Sequence, residues 1–226
     1  MLIDPSAPPD KPETAQMVVI HKVFRREFAL LPALVSAVPE GDTTRSGRIS
    51  THAGTLFAML SEHHESEDQF LWPLLHRRAP LEQALIDTME AQHEGVAGLL
   101  ATVEGGMRTW AASADAASRD RLATDLTRLR DGLDEHLDLE EKEVLPVIHD
   151  VLTVPEWEAP QRHAEEVMLT GFRPRMMLAG MVLEDATPAE QTWFLGQLPP
   201  PARLVWRLIG TRMYGAYTRA IRGSAA

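Results

Sequence analysis

Cysteine is absent from the 226 residues, which excludes disulfides, thiolate metal sites and cysteine nucleophiles. Any metal ion would have to be held by His, Asp and Glu, a donor set that favours iron, manganese or zinc over soft copper ions. No apolar run approaches the roughly 20 residues that a membrane-spanning helix needs, and the first residues lack the basic and apolar regions of a signal peptide. We therefore expect a cytoplasmic protein with no membrane span.

Basic side chains are few relative to acidic ones, and the net charge is −11. The charge is uneven, because residues 1–150 carry 26 acidic and 14 basic side chains whereas residues 151–226 carry 7 and 8. Nonspecific binding of nucleic acid needs a basic surface. The acidic body of the chain therefore argues against a nucleic-acid partner.

The alternation of polar and apolar residues that marks a half-buried strand is also missing. Apolar residues instead recur at the three- and four-residue spacing of an amphipathic helix. We predict helices over residues 13–38, from near Asp42 or Ser46 to Pro73, from Pro80 to about Gly105, and from a connector at residues 111–118 to Pro146. Four helices with short connectors predict an all-α, up-down-up-down four-helix bundle over residues 13–150.

The two ends of the chain differ from this central part. Residues 1–12 contain four prolines and are predicted to form a flexible N-terminal arm. After Val151, prolines and helix-start signals divide the sequence into shorter pieces. We predict that residues 151–226 form three to four further helices, a helical extension packed on the bundle.

The strongest pattern is an internal repeat. The run Glu62-His63-His64-Glu65-Ser66-Glu67 returns as Glu135-His136-Leu137-Asp138-Leu139-Glu140, and a Pro and a His follow each copy. Five matched positions share one offset of 73 residues, which indicates an internal duplication. Within each copy a His and a Glu stand four residues apart, so an α-helix places them on one face, about one turn apart.

Two more histidines complete the pattern, since His21 precedes His63 by 42 residues and His93 precedes His136 by 43. A carboxylate buried inside a bundle is strongly unfavourable unless it is paired or bound to a metal. A pair of cations bridged by the two Glu side chains would resolve this cost. The predicted ligands are His21, His63, Glu67, His93, His136 and Glu140.

These residues, together with the run Glu67-Asp68-Gln69-Phe70-Leu71-Trp72-Pro73, resemble the hemerythrin-like, or HHE cation-binding, family over about residues 14–150. The resemblance implies a four-helix bundle with a non-heme di-iron centre, in which an oxo or hydroxo group bridges two iron ions. It implies O2, peroxide or NO as the ligand, and manganese or zinc would suit the same donors. His21 and His63 would serve one iron, His93 and His136 the other, and Glu67 and Glu140 would bridge them.

The sequence departs from invertebrate hemerythrins at two places. Ala97 stands where they have a second histidine on the third helix, and they use an aspartate five residues after the fourth-helix histidine. Here His136 is followed by Glu140 and by Glu141, and we favour Glu140 because a +4 residue lies ~40° from the His azimuth and a +5 residue ~140°. His64 points about 100° away from His63, so we expect it behind the ligands or exposed.

The missing histidine implies more open coordination positions, which favours oxidation chemistry, peroxide handling or NO binding over reversible O2 carriage. One alternative is a di-iron oxidase or oxygenase, or another peroxide-consuming oxidoreductase, whose substrate pocket is covered by the C-terminal helices. Another is an iron-responsive sensor or interaction module. The pattern makes no prediction of oligomeric state.

Overall fold

The computed structural model describes residues 10–168 and 171–223, so most of the predicted N-terminal arm, residues 1–9, lies outside the described residues. Every regular element in the described ranges is helical and none is a strand, which confirms the predicted all-α class. Three tighter or wider turns connect some of the helices: a 3₁₀ turn at Pro80–Glu82 and π turns at Glu140–Val144 and Trp206–Gly210. The α-helices are α1 (Ala15–Ser36), α2 (Thr43–Phe70), α3 (Trp72–Arg78), α4 (Gln83–Ser113), α5 (Ala116–Leu139), α6 (Leu145–Val151), α7 (Val154–Trp157), α8 (Ala159–Met168), α9 (Phe172–Glu184), α10 (Pro188–Gln197), α11 (Pro200–Val205) and α12 (Thr211–Arg222).

The four long helices are α1, α2, α4 and α5, and each of them packs against two of the others. The contacts run from α1 to α2, from α2 to α4, from α4 to α5 and from α5 back to α1. Apolar side chains at helical spacing fill the space between them. On α5, for example, Leu122, Leu126, Leu129 and Leu133 are all buried. This packing surrounds the polar residues of the repeat with an apolar core.

The connection between α4 and α5 is much shorter than the predicted connector at residues 111–118. Helix α4 continues through Gly105 and Gly106 to Ser113, and α5 begins at Ala116. Buried Met107 and Trp110 hold the last turns of α4 in the core, and this packing outweighs the low helix propensity of the two glycines. Ala114, at φ 50°, then ends the helix in the left-handed region.

The described part of the chain beyond Val151 contains the helical segments α7 to α12, of which α7 and α8 are separated by one residue and α11 and α12 are joined by the π turn into one run. Helix α8 packs on α2, α9 packs on α1, and α12 packs on α9 and α2. At one close approach the ring of Tyr214 covers Gly180, where an added Cβ would meet the ring at 2.2 Å. None of the described helices has the length and apolar character needed to span a membrane.

Candidate metal centre

The structure brings all six predicted ligand residues together at the centre of the four long helices. His21 lies on α1, His63 and Glu67 on α2, His93 on α4 and His136 on α5, and Glu140 opens the π turn that follows α5. Their side chains are almost completely buried, and the imidazole of His63 is the most exposed at 12%.

The first half of the cluster comprises His21, His63, Glu67 and Glu140. Each contributes one nitrogen or oxygen atom, and these atoms all lie within 4.8 Å of one another. The Nε2 atom of His21 lies 3.3 Å from Glu140 Oε2, and the Nε2 atom of His63 lies 3.3 Å from Glu67 Oε1. The +4 spacing therefore aims the imidazole and the carboxylate of α2 at the same point.

The second half comprises His64, Glu67, His93 and His136, and their donor atoms also lie within 4.8 Å of one another. The Nε2 atom of His93 lies 3.4 Å from Glu67 Oε2, so the two oxygens of Glu67 face different halves. Glu67 is thus common to both groups, with His21 and His63 on one side and His93 and His136 on the other.

The expectation that His64 lies behind the ligands or is exposed is wrong, because His64 is buried and belongs to the second half of the cluster. Its ring stacks on that of His93 with centroids 4.1 Å apart and meets the ring of His136 at 4.9 Å. On α2, the ring of His63 meets the ring of His21 on α1 and the ring of His64 meets that of His93 on α4, so the two neighbouring histidines face different halves of the cluster. The adjacent histidines His63 and His64 were the sequence signal for this second contribution. The repeat did not indicate it, because Leu137 occupies the position that matches His64 in the second copy.

The acidic residues that follow Glu67 and Glu140 lie just outside the cluster. Asp68 Oδ1 is 2.6 Å from Nδ1 of His93, and Glu141 Oε1 is 3.0 Å from Nδ1 of His21. On α5, the outer nitrogen of His136 lies 3.3 Å from the Gln92 side-chain oxygen. These contacts orient three imidazoles so that Nε2 points into the cluster, the arrangement in which outer partners position metal-binding histidines.

A π turn begins at Glu140, where the Leu145 N–H donates to the Glu140 carbonyl. Pro146 follows and has no N–H to offer an α-helical hydrogen bond. The wider π turn therefore connects α5 to α6 without a break before the proline. In the first copy of the repeat, by contrast, α2 ends at Phe70 and a separate helix, α3, starts at Trp72. Such π turns occur frequently at functional sites.

Burial dominates the electrostatics of the cluster. Burial, with the neighbouring imidazoles, lowers the pKa of His63 and His64 well below the ordinary value and lowers the pKa of His136 to about 2. Burial, with repulsion from Glu67, raises the pKa of Glu140 to about 8. Burial also lowers the pKa of His93, but the carboxylates of Asp68 and Glu67 outweigh it and raise that pKa to about 9.

The inner atoms of the cluster have no hydrogen-bond partners. Thirteen buried side-chain nitrogen or oxygen atoms lack such a partner among the described residues, and nine of them belong to this cluster. The nine atoms are Nε2 of His21, His63, His64, His93 and His136 and both carboxylate oxygens of Glu67 and Glu140. Buried polar atoms in folded proteins are normally satisfied. These unsatisfied atoms belong to the two converging groups, which fit a pair of cations well, because imidazole nitrogen and carboxylate oxygen are both good ligands for iron, manganese and zinc.

Other features of the structure do not compete with this cluster. His76, Asp87 and Glu90 form a third group with converging atoms, but all three are partly or fully exposed. One surface cavity lies beside Pro73 and Ala159 and another beside Pro32 and Asp120, and no residue of the buried cluster lines either of them.

Comparison with known proteins gives one match. The family model described as the hemerythrin HHE cation binding domain matches residues 13–148, which covers more than half of the chain and all six predicted ligand residues. No curated protein and no solved structure shows a significant match.

Proposed function

The chain belongs to the hemerythrin HHE cation-binding family, and from this premise we propose that its buried cluster holds two iron ions and binds O2, peroxide or NO. We also propose that residues 13–150 form the metal-binding unit, an up-down-up-down four-helix bundle, and that residues 151–226 form its helical extension. The closed ring of contacts among α1, α2, α4 and α5 supports this arrangement.

The observation that carries the proposal is that seven buried residues with unsatisfied nitrogen or oxygen atoms form two converging groups that share Glu67. Without cations, two carboxylates would share one buried cluster, and His93, whose Nε2 lies 3.4 Å from Glu67 Oε2, could compensate at most one of their charges. Burying a carboxylate without a compensating charge costs roughly several kcal/mol. Two divalent ions would compensate the charge of Glu67 and Glu140 and would use the lone pairs of the five imidazoles.

The two halves of the cluster suggest a ligand set for each ion. His21, His63 and Glu140 would hold one ion, and His64, His93 and His136 the other, with Glu67 shared between them. The sequence assigned two histidines to each ion, and His64 adds a third on the side where Ala97 replaces a histidine of the invertebrate hemerythrins. Each ion would then have four protein ligands, which leaves open positions on both for a small molecule. Manganese or zinc fits the same donors.

The chain's own residues prepare the site in three ways. Asp68, Glu141 and Gln92 hold the outer ring nitrogens, which keeps each Nε2 directed inward. Burial keeps His63, His64 and His136 neutral at pH 7, the form that can coordinate. Phe24, whose ring centroid lies 5.2 Å from that of His63, places an apolar ring beside the most exposed imidazole of the cluster. Bound iron would supply electron-transfer and Lewis-acid chemistry toward a small oxidant.

The small exposure of the cluster supports a ligand of few atoms over a large substrate. His63 provides the most exposed imidazole, and the two surface cavities described above are lined by other residues. This favours binding or reduction of O2, peroxide or NO over the oxidase alternative, in which the C-terminal helices would cover a substrate pocket.

Metal analysis of protein loaded with iron tests the proposal. We expect two iron ions per chain and an absorption spectrum that changes on addition of O2, peroxide or NO. The variant Glu67→Gln should lose both ions and His64→Gln at least one, whereas His76→Gln, in the exposed third group, should keep both. The proposal fails if the wild-type chain retains less than one ion, or if only His76→Gln lowers the metal content.

A further inference from the structure

The helical run from α11 through the π turn to α12 packs on the protein along one side only. Trp206 is buried against Met176 and Met177, and Gly210 is buried beneath the Trp206 ring. On the outward side Leu204, Leu208 and Ile209 remain 57%, 56% and 48% exposed. Single exposed leucines are common on protein surfaces, but three large aliphatic side chains within six residues form a concentrated apolar feature.

Cationic side chains accompany these three residues. Arg203, Arg207 and Arg212 are exposed, and none of them takes part in an ion pair within the described part of the chain. We call these six residues, Arg203, Leu204, Arg207, Leu208, Ile209 and Arg212, the Arg–Leu face. Arginine can lay its aliphatic stem along an apolar surface while its guanidinium stays in a polar layer.

The charge of the surrounding sequence is of one sign. Residues 191–226 contain five Arg and no Asp, Glu or Lys, so this segment carries +5 while residues 1–190 carry −16. Charge of one sign on a face with exposed leucines fits a partner that is both anionic and able to accept apolar side chains. The acidic remainder of the chain would orient this end of the molecule toward such a partner.

The same charge pattern argues against a second copy of the chain as the occupant. A symmetric pair joined through the Arg–Leu face would place the arginines of one copy against those of the other. A flat helix side with Leu and Ile beside Arg instead matches helices that lie in the plane of a lipid interface. Anionic lipid headgroups would meet the guanidinium groups, and the acyl boundary would accept Leu204, Leu208 and Ile209.

We propose that the Arg–Leu face docks the protein peripherally on the surface of an anionic lipid bilayer. This proposal is independent of the metal cluster. The face lies on the last helical run, and the cluster lies on α1, α2, α4 and α5 with the π turn after α5.

Co-sedimentation of the full-length, metal-loaded protein with lipid vesicles tests the proposal. We expect binding to phosphatidylcholine vesicles that contain phosphatidylglycerol, weaker binding as salt is raised, and little binding to pure phosphatidylcholine. The variant with Leu204→Ser, Leu208→Ser and Ile209→Ser should bind at least about tenfold more weakly. Arg207→Gln should lower binding by about fivefold, the effect of one arginine near an anionic surface.

Leu81→Ser is the matched control, because Leu81 is 94% exposed but belongs to the 3₁₀ turn between α3 and α4 and not to the Arg–Leu face. It should bind the vesicles like the wild type. Thermal unfolding and metal content should be unchanged in all of these surface variants, which separates lost docking from lost folding. The proposal is overturned if the wild type does not sediment with anionic vesicles, if it binds neutral vesicles equally well, or if Leu81→Ser weakens binding as much as the triple variant. A dimer in light scattering that the triple variant abolishes would overturn it in favour of a second copy.

Discussion

Asp68 Oδ1 lies 2.6 Å from Nδ1 of His93, so a carboxylate on α2 holds the outer nitrogen of an imidazole on α4. The second copy of the repeat makes the equivalent contact back to the first half of the chain, since Glu141, 73 residues after Asp68, contacts Nδ1 of His21 on α1. Each copy of the repeat thus contributes a +4 carboxylate that faces the cluster and a +5 acid that positions a histidine of the other copy.

Removal of the Asp68 charge should weaken metal binding without removing a ligand. We expect Asp68→Asn to lower the affinity for metal by about 10- to 100-fold, because loss of an outer partner leaves the His93 ring less well oriented and less basic. Competition against a chelator would measure the change. Glu65→Gln, on an exposed position of the same helix, should alter the affinity less than twofold, roughly. Equal effects of the two substitutions would contradict a positioning role for Asp68.

The metal-free protein should be most stable near pH 6.5. His63, His64 and His136 have lower pKa values in the folded than in the unfolded chain, so the unfolded chain takes up more protons as the pH falls below 6.5, and stability is lost. His93 and Glu140 have raised pKa values, about 9 and about 8, so the stability that their bound protons provide is lost as the pH rises through these values.

Denaturant unfolding across this pH range, with and without metal, would measure the effect. Bound metal requires neutral histidines and ionised carboxylates. The free energy of unfolding of the metal-loaded protein should therefore not fall above pH 6.5. About two protons, those of His93 and Glu140, should be lost from the folded protein between pH 6 and pH 9. A metal-free protein whose free energy of unfolding rises steadily over this range would contradict the predicted charge states.

Glu140→Gln should separate stability from metal binding. The amide has no charge to bury, so the metal-free variant should be more stable than the wild type at pH 9, by at least about 1 kcal/mol. Its metal content should fall, because the amide is a poor ligand in place of a carboxylate. Urea unfolding and metal analysis of the same preparations would test both outcomes. Glu143→Gln, on an exposed side chain in the same π turn, should change neither quantity.

Arg222 should contribute to the docking of α12 on the bundle. Its guanidinium lies 2.6 Å from the carboxylate of Glu27, which is 1% exposed and also contacts Arg26 and His52. Arg222→Ala leaves part of that buried charge uncompensated, and we expect a loss of about 1–3 kcal/mol in the free energy of unfolding.

The exposed neighbour Arg219 provides the comparison. Among the described residues Arg219 makes no ion pair, so Arg219→Ala should stay within about 0.5 kcal/mol of the wild type. Both variants should retain the full metal content, because neither residue touches the cluster. If they are equally stable, the Glu27–Arg222 contact does not hold the last helix in place.

The sequence by itself determined the helical class, the repeat and the six residues that meet at the cluster. These follow from the 3.6-residue period, which is a local property of the chain, and from the offset of 73 that links His63 to His136 and Glu67 to Glu140. The family resemblance, now confirmed by the match over residues 13–148, rested on the same residues.

Only the tertiary structure decided what stands opposite each helix. It brought His64 into the cluster beside His93, assigned Asp68 and Glu141 to the outer nitrogens of His93 and His21, and extended α4 past two glycines to Ser113. Helical spacing tells which residues share a face, but the rotation of a helix and the identity of its neighbours depend on how whole apolar surfaces pack. Those contacts join residues tens of positions apart, and no local pattern encodes them.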